Sequence, residues 1–383
     1  MTTTVSRLLV AAFTAASTIS GCSGSQPTEP GPDSSIQEQL QDALDSVFVA
    51  QRGKGISAAV ILPDGDLWLS TAEAEGATRV LPENLFWIGS VTKMFTATVV
   101  LQLIQEGVLH FDDQLHQFLP KYEFVDSTIT IRQLLDHTSG VADFVNHPRY
   151  NELVAEAPDR IWSPEEVVTR LFFEPYNAPG EAWRYSSGGY LLLGMVIEAV
   201  TGNRLSEEYR TRILQPLGLT HTFLDCQETI AEGIVSAWEE DANGVLVEWD
   251  VNHAQRHAET SMGFAAGGLF STAGDVAVFT DALFGRKVLL SQPMLNAMLD
   301  FNRNIPADFG WPGYGLGVAE YRTSMVSGAY AYGSAGQAAM FISATAYLPN
   351  WDSTITVLLN AQNWGLWEGA VAALANVVVR GAR

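Results

Sequence analysis

Ser90 and Lys93 stand three residues apart in the stretch FWIGSVTKMFTATVVLQLIQEG. On a helix, residues at that spacing share a face, so the amine reaches the hydroxyl. A Ser at a helix N-terminus also has backbone N–H groups aimed at any oxyanion formed beside it. If burial strips the proton from Lys93, the free amine can act as the base that activates Ser90. With four Lys in the chain, roughly 0.3 such pairs arise by chance, so the pair alone is a weak signal. Tyr185 is the third candidate. It follows a Pro179-Gly180 turn and precedes a helical run, which puts it on a loop at an element edge. A phenol there can shuttle a proton to a leaving group, although a lone Tyr in such a place is more often structural.

The elements that must hold these groups read as follows. The helix carrying Lys93 should stop at Gly107, a residue suited to the left-handed end of a helix. Ile36, Leu40, Leu44, Val47 and Phe48 fall at helical spacing and predict an amphipathic first helix. ISAAVIL and LWLSTAE, joined by Pro63-Asp64-Gly65, predict a hairpin. FISATAYL and STITVLLN predict a second hairpin, with LWEGAVAALANVVVR closing the chain as a helix. Between these ends the signals are mainly helical. Ser163-Pro164-Glu165-Glu166 is a capping box, and GYLLLGMVIEAVTGN is a helix that stops at Gly202-Asn203. The expected fold class is therefore α/β in the α+β sense. An antiparallel sheet is built from both chain ends (about 36–90 and 262–383), flanked by helices, with a mainly helical part (about 91–261) inserted.

Ahead of the folded part, Arg7 precedes the short apolar run LLVAAFTAASTIS. This reads as a secretory leader over residues 1–21, too short for a stable span. Its end, Ile19-Ser20-Gly21-Cys22, resembles the bacterial lipobox, which makes Cys22 the expected lipidation site. SGSQPTEPGPDSS then reads as a flexible tether, placed at residues 22–35. An exported, membrane-anchored envelope lipoprotein is the expectation. Cys226 has no partner once Cys22 is lipidated, so no disulfide framework follows. A formal charge of −22 excludes a phosphate-binding surface and hence nucleic acid as a partner. It equally opposes attraction to anionic lipid.

Over nearly the whole chain after Ile36, the sequence resembles the serine β-lactamase and D-Ala-D-Ala carboxypeptidase superfamily, in its class C-like branch of esterases and D-amino-acid peptidases. FWIGSVTKMFTATVVLQLIQEGVLHFDDQLHQFLP looks like the nucleophile segment, and ITIRQLLDHTSGV like the Leu-Leu-x-His-Thr-Ser-Gly block. WRYSSGGYLLLGMVIEAVTG, LQPLGLTHT and GFAAGGLFSTAGDVAVF match three further segments in order. The resemblance implies that Ser90 is the acylated nucleophile, Lys93 its base partner and Tyr185 the Tyr of the second motif. That motif usually ends in Asn. Here Ser187 takes the place, shorter and without a two-donor amide. The third motif usually begins with Lys or His. Its spacing falls on Ser334-Ala335-Gly336, and the oxyanion donor implied one residue later is the Gln337 N–H.

A serine hydrolase that forms an acyl-enzyme on Ser90 is the leading expectation, with a small-molecule or peptide substrate. Which of Lys93 and Tyr185 is the base stays open at this stage. The neutral Ser334 shifts weight from substrates bearing a carboxylate toward esters and amides without one. The other expectation is a catalytically weak or inactive envelope-bound binding protein that keeps the fold. No Gly-x-Ser-x-Gly elbow points to another hydrolase fold. His253 and His257 lack a metal-ligand set around them, and no Gly-rich nucleotide fingerprint follows a strand. Neither a metal nor a cofactor is expected.

Overall fold

The computed structural model describes residues 35–240, 245–249 and 256–381. The expected leader, Cys22, His253 and all of the expected tether except Ser35 lie outside the described residues. Ser35 itself caps the first helix, Ile36–Ala50: its side chain accepts from the Glu38 N–H, and the Glu38 carboxylate reaches back to the Ser35 N–H.

Seven antiparallel strands form the main sheet. They are β1 (Gly55–Ile61), β2 (Leu67–Glu73), β3 (Gly313–Tyr314), β4 (Ala319–Glu320), β5 (Tyr332–Ala338), β6 (Phe341–Leu348) and β7 (Ser353–Leu359). Their spatial order is β2-β1-β7-β6-β5-β4-β3, so the two chain ends meet in the middle, with Ile56 opposite Leu359 and Ile61 opposite Thr354. Both hairpins expected from the sequence are present. β1, β6 and β7 are buried at every position, which is why they read as continuous rather than alternating apolar runs. One face is covered by helices Ile36–Ala50 and Trp364–Gly381, which pack on each other. The opposite face receives helix Ala273–Phe284 and, beyond it, the helical part of the chain.

A buried hydroxyl ladder ties that second layer to the sheet. Thr280 Oγ1 lies 2.8 Å from Thr345 Oγ1, which lies 2.9 Å from Thr356 Oγ1. Phe95, from helix Thr92–Gln105, stacks on Phe279 at 3.7 Å between ring centroids, joining the Lys93 helix to the same layer. The inserted region is not purely helical. It contributes Phe223–Leu224 to a small three-stranded sheet and forms a hairpin from Ala237–Glu240 and Leu246–Trp249. Among the described residues no helix is long and apolar enough to cross a membrane.

Candidate active site

Ser90 lies in a 3₁₀ turn, Gly89–Val91, that runs directly into helix Thr92–Gln105. Three bonds fix this turn from outside. Ser343 Oγ of β6 donates to the Ile88 carbonyl (2.7 Å), the Ile88 N–H donates to the Leu269 carbonyl (3.0 Å), and Trp87 Nε1 donates to the Gly267 carbonyl (2.5 Å). The helix therefore starts from a point clamped between the sheet and the segment around Gly267, and Ser90 inherits that rigidity.

Two proton-carrying groups flank the Ser90 hydroxyl. Lys93 Nζ is 3.1 Å from Ser90 Oγ, and the Tyr185 hydroxyl donates to Ser90 Oγ at 2.8 Å. Lys93 is 1% exposed, and this desolvation lowers its pKa to about 7, partly offset by the charge of Asp143. A neutral amine has two N–H groups and one lone pair. The Ala266 carbonyl (2.8 Å) and Ser187 Oγ (3.4 Å) are acceptors for the former, which leaves the lone pair for the Ser90 proton. Burial pushes the Tyr185 phenol well above its ordinary value, so it stays protonated at neutral pH.

Both neighbours of Lys93 come from the expected helix N-terminus and from an unexpected kink. Helix Ser187–Thr201 begins at Ser187, capped by Ser186, whose Oγ accepts from the Gly189 N–H. Helix His257–Gly267 breaks at Phe264 (φ 37°, ψ −124°). Just beyond the break the Ala265 carbonyl accepts from Thr96 Oγ1 and the Ala266 carbonyl from Lys93. Tyr185 is held by rings. His137 lies 4.4 Å away between centroids, Phe309 5.3 Å, Trp311 6.3 Å and Tyr314 6.4 Å. His137 sits in left-handed backbone (φ 63°), its Nδ1 accepts from the Ser186 N–H, and burial holds its pKa well below the ordinary value.

The other wall is β5. Gly336 faces the nucleophile turn so closely that a Cβ there would lie 2.2 Å from the Ile88 carbonyl oxygen and 2.8 Å from the Ser90 nitrogen. Gly89 answers from the other side, its would-be Cβ 3.1 Å from the Gln337 nitrogen. The close approach requires glycine at 336. Ser334, two residues before it, shares its face of the strand and is buried. It places a hydroxyl and no charge on this wall.

Ser90, Lys93, Tyr185 and Ser187 thus converge on one point, and Gly336 and Gln337 press against it. Ser187 reaches Lys93 from the first turn of its helix, with Oγ 3.4 Å from Nζ. Three contributors were not singled out in the sequence as parts of the site. They are the Ala266 carbonyl, the aromatic residues at 309–314, and Asp143, whose carboxyl is buried beside Lys93 and Ser187 and is pushed by desolvation up to about 6. The Asp143 signal was available: an acid three residues past Gly140, in the block that also supplies His137. Elsewhere, burial raises the Cys226 thiol to about 12, opposite to what a nucleophile needs. His257 Nδ1 lies 3.4 Å from the buried Asp225 carboxylate.

A family model described as Beta-lactamase matches residues 36–377. The chain belongs to the beta-lactamase family. This family of serine hydrolases includes relatives of several activities. A putative D-alanyl-D-alanine carboxypeptidase of Escherichia coli K12 is 33% identical over 239 residues, 55% of this chain and 52% of that protein. Penicillin-binding protein 4 of Amycolatopsis lactamdurans is 32% identical over 188 residues, 47% of each chain. The chain thus spans about half the length of these curated relatives. Among solved structures, D-amino acid amidase from Ochrobactrum anthropi SV3 with D-phenylalanine superposes at a TM-score of 0.78 with 25% identity, over 90% of this chain and 99% of that one. A D-stereospecific amidohydrolase from Streptomyces superposes at 0.72 with 28% identity, over 90% and 98%. The antiparallel sheet with its helical insertion is the fold of these beta-lactamase-family neighbours.

Proposed function

We propose that this beta-lactamase-family chain hydrolyses an ester or amide through an acyl-enzyme on Ser90. The observation that carries the reading is the placement of Ser90 Oγ between a buried amine and a protonated phenol, at 3.1 and 2.8 Å. Neutral Lys93 takes the Ser90 proton as Oγ attacks the carbonyl carbon. The N–H groups of Ser90 and Gln337 receive the oxygen that gains charge. The Tyr185 hydroxyl gives its proton to the departing oxygen or nitrogen, and the proton that Lys93 took from Ser90 returns to the phenolate from the ammonium beside its ring, 4.9 Å from the ring centroid. Water then repeats the sequence on the acyl-enzyme, releasing the acid and restoring Ser90. The opposite pKa shifts of Lys93 and Tyr185 support Lys93 as the base.

Two features support the substrate side of the proposal. Ser334 supplies no cation for a carboxylate, and half-buried Phe309 and Trp311 line the edge of Tyr185 with apolar surface. The preferred substrate is an ester or amide with an apolar or aromatic group beside the scissile bond. The D-phenylalanine in the similar amidase supports an aromatic amide as one such compound. We further propose that residues 1–21 are removed and that Cys22 carries the lipid, an assignment that the mass of the mature N-terminus tests.

The central test is a panel of a short-chain nitrophenyl ester, a D-phenylalanine amide, a D-Ala-D-Ala peptide and a chromogenic cephalosporin, run with wild type and Ser90→Ala. The ester and the aromatic amide should be turned over faster than the two carboxylate-bearing compounds. Ser90→Ala should lose at least about 10³-fold in rate. A fluorophosphonate adduct should map to Ser90, and its absence with every acylating probe would leave only a non-catalytic binding protein.

A further inference from the structure

Asp143 is the one buried charge beside Ser90 that the reaction above does not use. It ends the 137–143 segment, immediately before the 3₁₀ turn Phe144–Asn146, and is only 6% exposed. Its Oδ1 makes no hydrogen bond, a costly state for a carboxylate oxygen. The groups acting on it come from three elements. Lys93 of the nucleophile helix is the one cation, Ser187 presents its N–H and hydroxyl from the next helix, and the Val145 N–H comes from its own turn. Tyr150 and Tyr185 also feel its charge, while the Lys93 charge acts in turn on His137. Ser187 is the link: its Oγ is 3.4 Å from Lys93 Nζ and it also serves the Asp143 carboxylate.

An acid kept only to neutralise Lys93 would be poorly chosen. Burial already lowers the Lys93 pKa to about 7, so at neutral pH much of the amine carries no charge to balance. Ionising Asp143 there then costs the fold stability without a standing partner. The charge it could serve is transient, and appears on Lys93 when the Ser90 proton arrives. We propose that Asp143 is a positioning residue for acylation, whose carboxylate, acting through Ser187, stabilises the ammonium formed when Lys93 takes the proton of Ser90. One proton moves, from Ser90 Oγ to Lys93 Nζ; Asp143 keeps its charge and no bond to it breaks.

This inference rests on the serine-hydrolase reading, and one set of measurements separates the two. The full chain and its Asp143→Asn and Ser187→Ala variants are assayed for Ser90 acylation by a nitrophenyl ester between pH 5 and 9, with Tm measured at both ends. Removing the carboxylate removes the one influence that raises the Lys93 pKa. The acid limb of kcat/KM in Asp143→Asn should therefore move down by about one pH unit while its plateau falls about tenfold. Ser187→Ala should move both the same way by less. The Tm of Asp143→Asn should exceed that of wild type at high pH, because the raised acid lowers native stability as pH climbs from its unfolded value through about 6. That gain should be smaller at pH 5 and disappear only below the unfolded value of 3.8. An unshifted limb, or a Tm below wild type at high pH, marks a structural acid and overturns the inference alone. Wild type that never acylates Ser90 overturns both readings together.

Discussion

On the helical side of Ser90 stand side chains able to carry protons: a buried amine, a phenol and, behind them, a carboxylate. On the sheet side, β5 offers a glycine, two backbone groups and the neutral hydroxyl of Ser334. The two walls differ in what they tolerate. The helical wall depends on side chains whose proton affinities are set first by burial and then by one another, which few substitutions reproduce. The sheet wall is held by close backbone approach at Gly336, and the Ser334 side chain is not among the groups that press on the turn carrying Ser90. The proposed reaction therefore assigns reaction class to one wall and substrate choice to the other. On the proposed reaction, an exchange at 334 should alter which compounds bind, whereas an exchange at 93 should remove turnover.

The comparison predicts its largest effect at Lys93. Lys93→Met keeps the length and volume but removes the lone pair, and turnover of the ester should fall by about 10³-fold. The Tm below pH 7 should not fall. A Lys whose folded pKa is depressed binds fewer protons in the native state, so its stability penalty is greatest at low pH, shrinks as pH rises through about 7 and is gone by the unfolded value of 10.5. In wild type, kcat/KM should drop on acidification through pH 7, by about tenfold at one unit below that value. A pH profile flat from 8 to 5 would break the division between the walls, because some other group would then be the base.

Gly336→Val probes the sheet wall through its backbone rather than its charge. A Cβ 2.2 Å from the Ile88 carbonyl cannot be accommodated without moving the turn that Ser343 pins. Overpacking of this kind costs about 1–3 kcal/mol, and the displaced Ser90 should lose about 10²-fold in rate. Urea denaturation and ester hydrolysis measure the two consequences separately. Full activity in Gly336→Val would show that β5 does not buttress the nucleophile.

What could be read from the sequence follows the same division. Ser90, Lys93 and Tyr185 could be singled out because the roles proposed for them depend on side-chain type at set places relative to helix starts, and those helices showed in their apolar runs and the glycines that end them. The sheet was legible at its ends, where β-branched runs flank Pro-containing turns. The Ala266 carbonyl was not, because any residue supplies a carbonyl; what matters is the break at Phe264, and GFAAGG has no Pro to announce it. The short strands at Phe223–Leu224 and in the 237–249 hairpin offered too few residues for a period to show. The ring of aromatics around Tyr185 joins Trp183 to residues 309–314 across more than a hundred positions, a closeness that only the paired β3 and β4 strands create.

The smallest expected effect is also the one that sharpens the comparison most. Ser334 shares its strand face with Gly336, so a longer side chain at 334 extends along the wall toward Ser90. Ser334→Lys should raise kcat/KM for a D-Ala-D-Ala peptide or a cephalosporin by about tenfold, the order of one charge-assisted hydrogen bond, and leave the nitrophenyl ester within about twofold. Trp311→Ala should do the reverse, lowering kcat/KM for the aromatic amide by about tenfold through lost apolar contact while sparing a short acetyl ester. If each substitution moves only its own substrate class, the sheet wall and the aromatic edge select substrates independently of the proton machinery. If Ser334→Lys instead depresses every substrate alike, the added ammonium is acting on Lys93 and lowering its pKa further, and the two walls share one electrostatic field rather than dividing the work.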